Sequence, residues 1–487
     1  MFADVAFPIS NFITFTYKVP EKIAQDVKIG SRVNVQFGPR KTQGIITELN
    51  TKSSFAGKLK EIDSLVDDLP IMTQELWKLI QWMSEYYVTP LGQVGKAVLP
   101  KNLSTRYNPP KNWMVQPIIT GDDDLEAVKK RAPKQYELYQ EILKTEKPIK
   151  VSSLKELASN PLTGCRGLEK RGLVSIFEET SLPDVTGFTF DPIHKKVEFN
   201  KHQKTVVTAI IQSLDSKNYS PFLLHGVTGS GKTEIYIEAV RHCLDQSRTA
   251  IILLPEISLT PQIAGRFRAV FGDSIALWHS KLTQAQRSWT WKEICKGSFK
   301  VVIGARSAVF APLKDLGLIV IDEEQESSFR QDAPAPRYHA RDVALMRATY
   351  EGSSVVLSSA TPSLESYYNY LHKKLIYLHL PERFGGAKYP QVHLVDMLGN
   401  QEESGKFGQI FSGLLQDKIE DRLQKKEQII LLQNRRGYSP VVRCGDCGDI
   451  VMCPQCKVAL TYHRKGSQLI CHCCGHFETK QREACRS

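Results

Sequence analysis

Between residues 222 and 357 the chain alternates short, unbroken apolar runs with longer amphipathic stretches. The runs lie at 222–224, 249–254, 300–303, 316–321 and 354–357. Each has the length and evenness of a strand buried on both faces, and the segments between them, such as 234–240, are long enough to wind as helices. That alternation predicts a doubly wound parallel sheet over 195–385. The N-terminal region reads differently: strand-like segments at 12–19, 32–37 and 44–49 are broken by Gly and Pro turns, and 75–87 has the spacing of an amphipathic helix. A small β-rich domain over 1–105 is the result. From 134 the pattern becomes helical, at 135–143, 152–157 and 160–170, and ends on a strand-like 171–177. The chain is therefore expected to be a multidomain α/β protein. It carries no internal repeat, and apolar runs such as 250–255 are far too short to cross a bilayer.

The first apolar run leads into Gly226-Val227-Thr228-Gly229-Ser230-Gly231-Lys232-Thr233. This is a GxxxxGK[ST] phosphate-binding loop in its required setting, after a strand and before a helix. Its glycines allow a tight turn that points successive N–H groups at phosphate oxygens; Lys232 would reach the β- and γ-phosphates and Thr233 would ligate Mg²⁺. The run at 316–321 ends in Asp322-Glu323, carboxylates delivered at the carboxyl end of a buried strand, where ligands bind. Asp322 is the expected partner of Mg²⁺ and Glu323 the base that orients an attacking water, so the 195–385 region is read as a RecA-like lobe that binds ATP.

Charge and cysteine content extend the picture. Lys plus Arg outnumber Asp plus Glu by 64 to 52 over 487 residues, a balance that favours a polyanionic partner such as nucleic acid. Three short helices and a strand pair within 115–185 then fit a winged-helix DNA-binding domain, with a helical spacer as the alternative. Cysteines crowd the end of the sequence, at 444, 447, 453, 456, 471, 473, 474 and 485. Pairs spaced CxxC predict zinc knuckles over 444–487: Cys453, Cys456, Cys471 and Cys474 make one complete tetrahedral set, whereas Cys444 and Cys447 have only Cys485 to complete a second. Iron–sulfur ligation is the rival reading of these thiolates. The start of the chain has neither a charged leader nor an apolar core, which implies a cytoplasmic protein without a membrane partner.

The motifs together resemble one family, the primosomal protein N′ (PriA) replication restart helicases of superfamily two. Residues 253–262 resemble its motif Ia, Gly304-Ala305-Arg306-Ser307-Ala308 its motif Ib and Ser359-Ala360-Thr361-Pro362-Ser363 its motif III. The stretch from Asp322 to Val343 is similar to the family's aromatic-rich loop, which couples ATP hydrolysis to single-stranded DNA. Asn434-Arg435-Arg436-Gly437-Tyr438 resembles the opening of its second helicase lobe, expected here over 386–443.

The resemblance implies a role for each matching residue. Gln203 corresponds to a glutamine that recognises adenine; Gln325, Ser359 and Thr361 to the link between nucleotide and DNA; Arg306, Arg330, Arg337, Tyr338 and Arg341, with Phe329, to phosphate contacts and base stacking; Phe15, Thr16, Gly38 and Lys60 to a pocket for a 3′ DNA end. Position 325 is Gln where the family usually has His, and Thr16 stands where Asp is common. The implied activity is ATP-dependent 3′ to 5′ unwinding that recognises stalled or collapsed forks and initiates replication restart. Its implied cofactors are ATP, Mg²⁺ and two zinc ions. The implied partners are forked and single-stranded DNA, other primosome proteins, single-stranded DNA-binding protein and the machinery that loads the replicative helicase, in a bacterial, nucleoid-associated setting. Later family motifs, an arginine finger among them, have no counterpart in this sequence, so it is expected to be a fragment with slow ATP turnover. A fork-binding scaffold that recruits primosome proteins without ATP turnover is the alternative.

Overall fold

The computed structural model describes residues 1–52, 57, 59–100, 103, 111–118, 128, 132–145, 148–180, 198–255, 261–384, 390–397, 411–432, 441–442, 449–463 and 466–479. The chain divides into two compact units, Met1–Lys388 and Tyr389–Ser487.

The first unit opens with β1 (Phe2–Ala6), β2 (Phe15–Lys18), β3 (Arg32–Phe37), β4 (Arg40–Asn50) and β5 (Ile62–Leu65), an antiparallel sheet in the order β2-β1-β4-β3-β5. Val5, Tyr17, Val33 and Ile46 fill its core. Strand β2 begins three residues later than the sequence pattern suggests. The ladder to β1 ends at Val5↔Phe15, and Phe12 and Ile13 are exposed beyond it. Helix α1 (Gln74–Tyr86) starts where the Thr73 hydroxyl accepts from Leu76 N at 3.1 Å, a side-chain cap for an otherwise orphaned donor. Its Leu76, Leu79, Ile80 and Met83 recur at three- and four-residue spacing and are all buried. Together with α2 (Leu91–Val98) they belong to the same core as one face of the later parallel sheet. Trp291 Nε1 donates to Ile71 O at 2.9 Å and the Ser288 hydroxyl donates to Leu103 O at 2.9 Å, so the N-terminal helices are joined by hydrogen bonds as well as by packing to the parallel-sheet region.

A small middle region has its own core around Leu138, Tyr139, Ile142, Leu154, Cys165 and Leu168. Here α3 (Pro133–Leu143) and α4 (Pro161–Glu169) pack against β6 (Lys111–Pro117), β7 (Ile149–Lys150) and β8 (Val174–Thr180), antiparallel in the order β7-β6-β8. The predicted helix at 152–157 is a 3₁₀ turn at Val151–Glu156.

The remainder of the unit is built on seven parallel strands: β9 (Ser220–Gly226), β10 (Thr249–Leu253), β11 (Ile275–Trp278), β12 (Val301–Gly304), β13 (Leu316–Asp322), β14 (Ser354–Ser359) and β15 (Ile376–Leu380), ordered β11-β12-β10-β13-β14-β9-β15. Alternate residues of β13 feed two cores. Leu318 and Val320 join the one lined by α5 (Lys201–Ser216), α6 (Lys232–Asp245) and α7 (Pro261–Phe271). Ile319 and Ile321 join the one lined by α8 (Gln284–Lys296), α9 (Ala340–Glu351) and the N-terminal α1. Helices on both faces leave every residue of β10, β12 and β14 buried, the physical reason these strands read as unbroken apolar runs. Helix α10 (Leu364–Leu371) connects β14 to β15.

Of the second unit, the described part contains α11 (Gly413–Gln424) and an antiparallel sheet of β16 (Thr461–His463), β17 (Gln468–Ile470) and β18 (Phe477–Glu478). Cys453, Leu460, Leu469 and Cys471 form its small core.

Candidate functional site

Strand β9 ends at Gly226 and α6 begins at Lys232, with the turn between them made by Gly229 at φ +77° and Gly231 at φ +82°. A side chain at Gly231 would bring its Cβ within 2.5 Å of Gln203 Nε2, so this position requires glycine on both conformational and spatial grounds. The first N–H groups of α6 have no partner within the helix and, with the helix dipole, face an incoming anion. Thr228, Gly229, Ser230, Gly231, Lys232 and Thr233 line a cavity of about 350 Å³, together with Gln203, Arg266, Glu323 and Phe384. Val227 is fastened outside it, its N–H donating to Leu380 O at 3.1 Å.

Ladder register brings three separate stretches to one edge of the sheet. Asp322 stands beside Ser358, and Ser359 beside His225, so the ends of β13, β14 and β9 meet at the loop. Lys232 Nζ donates to Gly226 O at 3.0 Å and lies 4.0 Å from Glu323 Oε1. Asp322 Oδ1 accepts from the Tyr236 hydroxyl at 2.8 Å. Burial pushes the Asp322 carboxyl above its ordinary range, against the lowering effect of that hydrogen bond. Glu323 adopts a left-handed backbone at φ +50°, an uncommon conformation for a residue with a side chain. From Glu323 a relay of hydrogen bonds leads away: Gln325 Nε2 donates to Glu323 Oε2 at 2.9 Å, the Ser359 hydroxyl donates to Gln325 Oε1 at 2.6 Å, and Thr361 N donates to Ser359 Oγ at 2.8 Å.

Glu324, the third carboxylate of the run, turns the other way and is 0% exposed. It accepts from Ser363 N at 2.7 Å, the Ser363 hydroxyl at 3.0 Å, the Ser366 hydroxyl at 2.8 Å and Arg341 Nη1 at 3.4 Å. Arg341 is thus corrected from a surface phosphate contact to a buried partner: it is 8% exposed and donates also to Ser363 Oγ at 2.8 Å. Tyr338 and Phe329 require the same correction. They are 2% and 1% exposed, and Tyr338 packs edge-on against Phe310 at 5.2 Å instead of offering a face to a base. Arg306 lies over the Tyr338 ring at 5.7 Å and donates to Arg330 O and Gln331 Oε1, holding the loop rather than projecting from it. Arg330 and Arg337 remain exposed.

Gln203 is also committed to the chain. Its Nε2 donates to Ser230 O at 2.9 Å, its Oε1 accepts from Asn200 N at 2.9 Å, and the residue is 1% exposed. It braces the phosphate loop, with one N–H and one lone pair of its carboxamide already engaged.

At the N-terminus, Phe15 packs edge-on against Phe37 with centroids 4.9 Å apart, and Lys60 Nζ donates to Gly38 O at 3.2 Å. Phe15 opens the outer strand β2, Gly38 follows β3 and Lys60 precedes β5. Thr16 points to the other face and donates to Asp4 Oδ1 at 2.5 Å. In the second unit the thiol sulfurs of Cys453, Cys456, Cys471 and Cys474 lie within 4.8 Å of one another, with Cys453 and Cys474 at 3.7 Å. Tetrahedral zinc at ~2.3 Å from each sulfur requires sulfur separations of about 3.8 Å, so this donor set fits zinc. Cys444, Cys447 and Cys485, and the stretch 434–438, lie outside the described residues.

The sequence matches the 3′ DNA-binding domain family over residues 4–100, the DEAD/DEAH box helicase family over 200–369 and the PriA DNA helicase Cys-rich region over 453–478. It is 34% identical to the replication restart protein PriA of Bacillus subtilis across 95% of this chain, and 35% identical to that of Chlamydia pneumoniae across 96%. The chain belongs to the PriA family. It spans 65% and 63% of the lengths of those two relatives.

Membership in the PriA family accounts for the zinc-ribbon cysteines and the helicase-type parallel sheet. Among the described residues, no helix is long and apolar enough to cross a membrane. The sequence reading missed four residues of the site: Phe384, Tyr236, Glu324 and Arg266, whose guanidinium pairs with Glu234 in the first turn of α6. Glu324 had a signal, as one more carboxylate than a nucleotide site needs. Tyr236 and Arg266 had none, since they act across helices whose packing is not written locally.

Proposed function

We propose that the chain is the ATP-binding and DNA-engaging part of a 3′ to 5′ DNA helicase that acts at stalled or collapsed replication forks to initiate replication restart. The observation that carries this reading is the convergence of Lys232, Asp322 and Glu323 at the mouth of the phosphate loop, with Glu323 joined through Gln325 to Ser359 and Thr361.

In this reading the N–H groups of the loop and Lys232 hold the triphosphate, while Thr233 and Asp322 would hold Mg²⁺. Magnesium, when bound, supplies charge that offsets the phosphates. Tyr236 fixes the orientation of Asp322. Glu323 accepts a hydrogen bond from Gln325 through one oxygen, which leaves the other to orient an attacking water. A change in how Glu323 is held is transmitted by Gln325 to Ser359 and Thr361, whose backbone continues β14 at the edge where sequence-independent contacts with a DNA backbone are made. Exposed Arg330 and Arg337 would contact phosphates, and Phe15, Gly38 and Lys60 would receive a 3′ end. The middle region, with two helices against a three-stranded sheet, would act as a winged helix on duplex DNA. Primosome proteins, single-stranded DNA-binding protein and the replicative helicase loader are the proposed protein partners, on bacterial chromosomal DNA.

ATP hydrolysis stimulated by forked DNA, lost in Lys232→Ala and in Glu323→Gln, tests the reading. Stimulated turnover that survives Lys232→Ala would remove the loop from the mechanism. Fork binding that does not depend on nucleotide, with no turnover in the unaltered protein, would favour the scaffold.

A further inference from the structure

The cavity beside the phosphate loop ends on an aromatic ring that the phosphates do not need. Strand β15 runs beside β9 with Leu380 opposite Gly226. Val227 N donates to Leu380 O at 3.1 Å, and four residues further on Phe384 N donates to Gly229 O at 2.8 Å. The segment 380–384 is therefore fastened at both ends to the loop it accompanies. Phe384 lines the cavity with Thr228, Gly229, Gln203 and Arg266, yet is 54% exposed.

A phenyl ring positioned by a backbone hydrogen bond and left half in water has apolar surface still to cover. The two ends of a nucleoside triphosphate make different demands on such a cavity. Its phosphates need N–H groups and cations, which 228–233 supply. Its base is flat and needs either hydrogen-bond partners for its edge or a π-face for its plane. Gln203, the amide that would read an edge, is engaged with Ser230 and Asn200. Among the described residues, the surface that remains is the ring of Phe384, with the half-exposed Arg266 on the same cavity wall, held there by Glu234.

We infer that Phe384 forms the nucleobase subsite, stacking on the purine of the bound nucleoside triphosphate. This rests on the reading of the phosphate loop given above. Stacking on a side chain is tolerant of base identity, because every base has a π-face, so ATP and GTP bind with similar affinity. Discrimination between them does not come from Gln203.

The test is equilibrium binding of ATP, GTP and inorganic tripolyphosphate, each with Mg²⁺, to the full chain and to Phe384→Ala, Phe384→Trp and Lys232→Ala. Phe384→Ala weakens both nucleotides by on the order of 10-fold and leaves tripolyphosphate unchanged; Phe384→Trp restores the nucleotides. Equal losses for all three ligands would make Phe384 a support for the loop and overturn the subsite, as would no change for any of them. Tripolyphosphate binding that is absent in the unaltered protein, or indifferent to Lys232→Ala, would instead overturn the reading of the loop, and the subsite with it. The half-exposed position of Phe384 keeps the alanine variant folded, which its thermal unfolding midpoint checks.

Discussion

Glu324 and Arg341 are 17 residues apart in sequence and 3.4 Å apart in space, both buried, and they join the end of strand β13 to the first turn of helix α9. A buried carboxylate requires a full set of donors, and Glu324 has one from the Ser363 backbone, one each from the hydroxyls of Ser363 and Ser366, and one from the guanidinium. The residues just after Asp322, the loop that ends at α9 and the turn after β14 thus share a single anchor. Removing Arg341 leaves the buried Glu324 carboxylate without its cation, and removing Glu324 leaves Arg341 with only the more exposed carboxylates of Asp342 at 3.2 Å and Glu365 at 3.9 Å, at a cost of about 3 kcal/mol. Glu324→Ala and Arg341→Ala each lower stability by this order in denaturant unfolding. The double variant loses clearly less than the sum of the two. Additive losses would mean that the pair does not act as a unit.

Gln203→Ala tests the brace on the phosphate loop. It deletes the hydrogen bond to Ser230 O and the one from Asn200 N, each worth roughly 1 kcal/mol. Binding of ATP and of tripolyphosphate falls together, by about 10-fold, as a loosened loop requires. A loss confined to ATP, with tripolyphosphate untouched, would return Gln203 to the role of base reader.

What the sequence revealed and what it concealed divide along a physical line. The parallel strands were legible because burial on both faces leaves an uninterrupted apolar run, and the turn Gly226 to Thr233 was legible because its glycines fall at fixed positions in a short stretch of chain between a strand and a helix. The four cysteines of the zinc set were legible through their spacing for the same reason. Strand β15 and its continuation to Phe384 were not legible: Ile376-Tyr377-Leu378-His379-Leu380 alternates as an edge strand does, and its pairing with β9 is a long-range event. The aromatic-rich loop misled for a related cause. A basic, aromatic segment reads as a DNA surface, but Phe329 and Tyr338 had apolar neighbours such as Phe310 waiting in the fold, and burial beside them is worth more than exposure. Of the residues read as phosphate contacts, Arg306 lies over the buried Tyr338 ring and Arg341 is taken up by Glu324.

Asp322 predicts a pH dependence. Burial holds its carboxyl above the ordinary range, so the acid form persists to a higher pH than in an exposed aspartate, and a protonated carboxyl does not ligate Mg²⁺. Nucleotide affinity in the presence of Mg²⁺ therefore rises with pH through that elevated range and is lost as pH falls through it, whereas affinity without Mg²⁺ lacks this step. Asp322→Asn removes the step and leaves Mg²⁺ with little effect at any pH. Titration of nucleotide affinity between pH 4 and 8, with and without the cation, distinguishes this from a general acid destabilisation, which would move both curves.

The zinc set makes the last prediction, because its small core cannot stand without the metal. Cys453 and Cys471 are buried members of a cluster that, among the described residues, has only Leu460 and Leu469 as other fully buried members, with Val442, Val451 and Tyr462 partly buried against it, little surface to hold three short strands in water. Metal ligation must supply the difference, and binding free energy then becomes folding free energy. Cys471→Ser lowers zinc content by one equivalent per chain, measured by native mass spectrometry, and leaves residues 461–478 unprotected in hydrogen exchange. The parallel sheet has separate cores of its own, so nucleotide binding persists in the same variant. Full zinc content after Cys471→Ser would show that the sulfurs of Cys453, Cys456 and Cys474 do not need it. Loss of nucleotide binding would mean that the two units are not independent in stability.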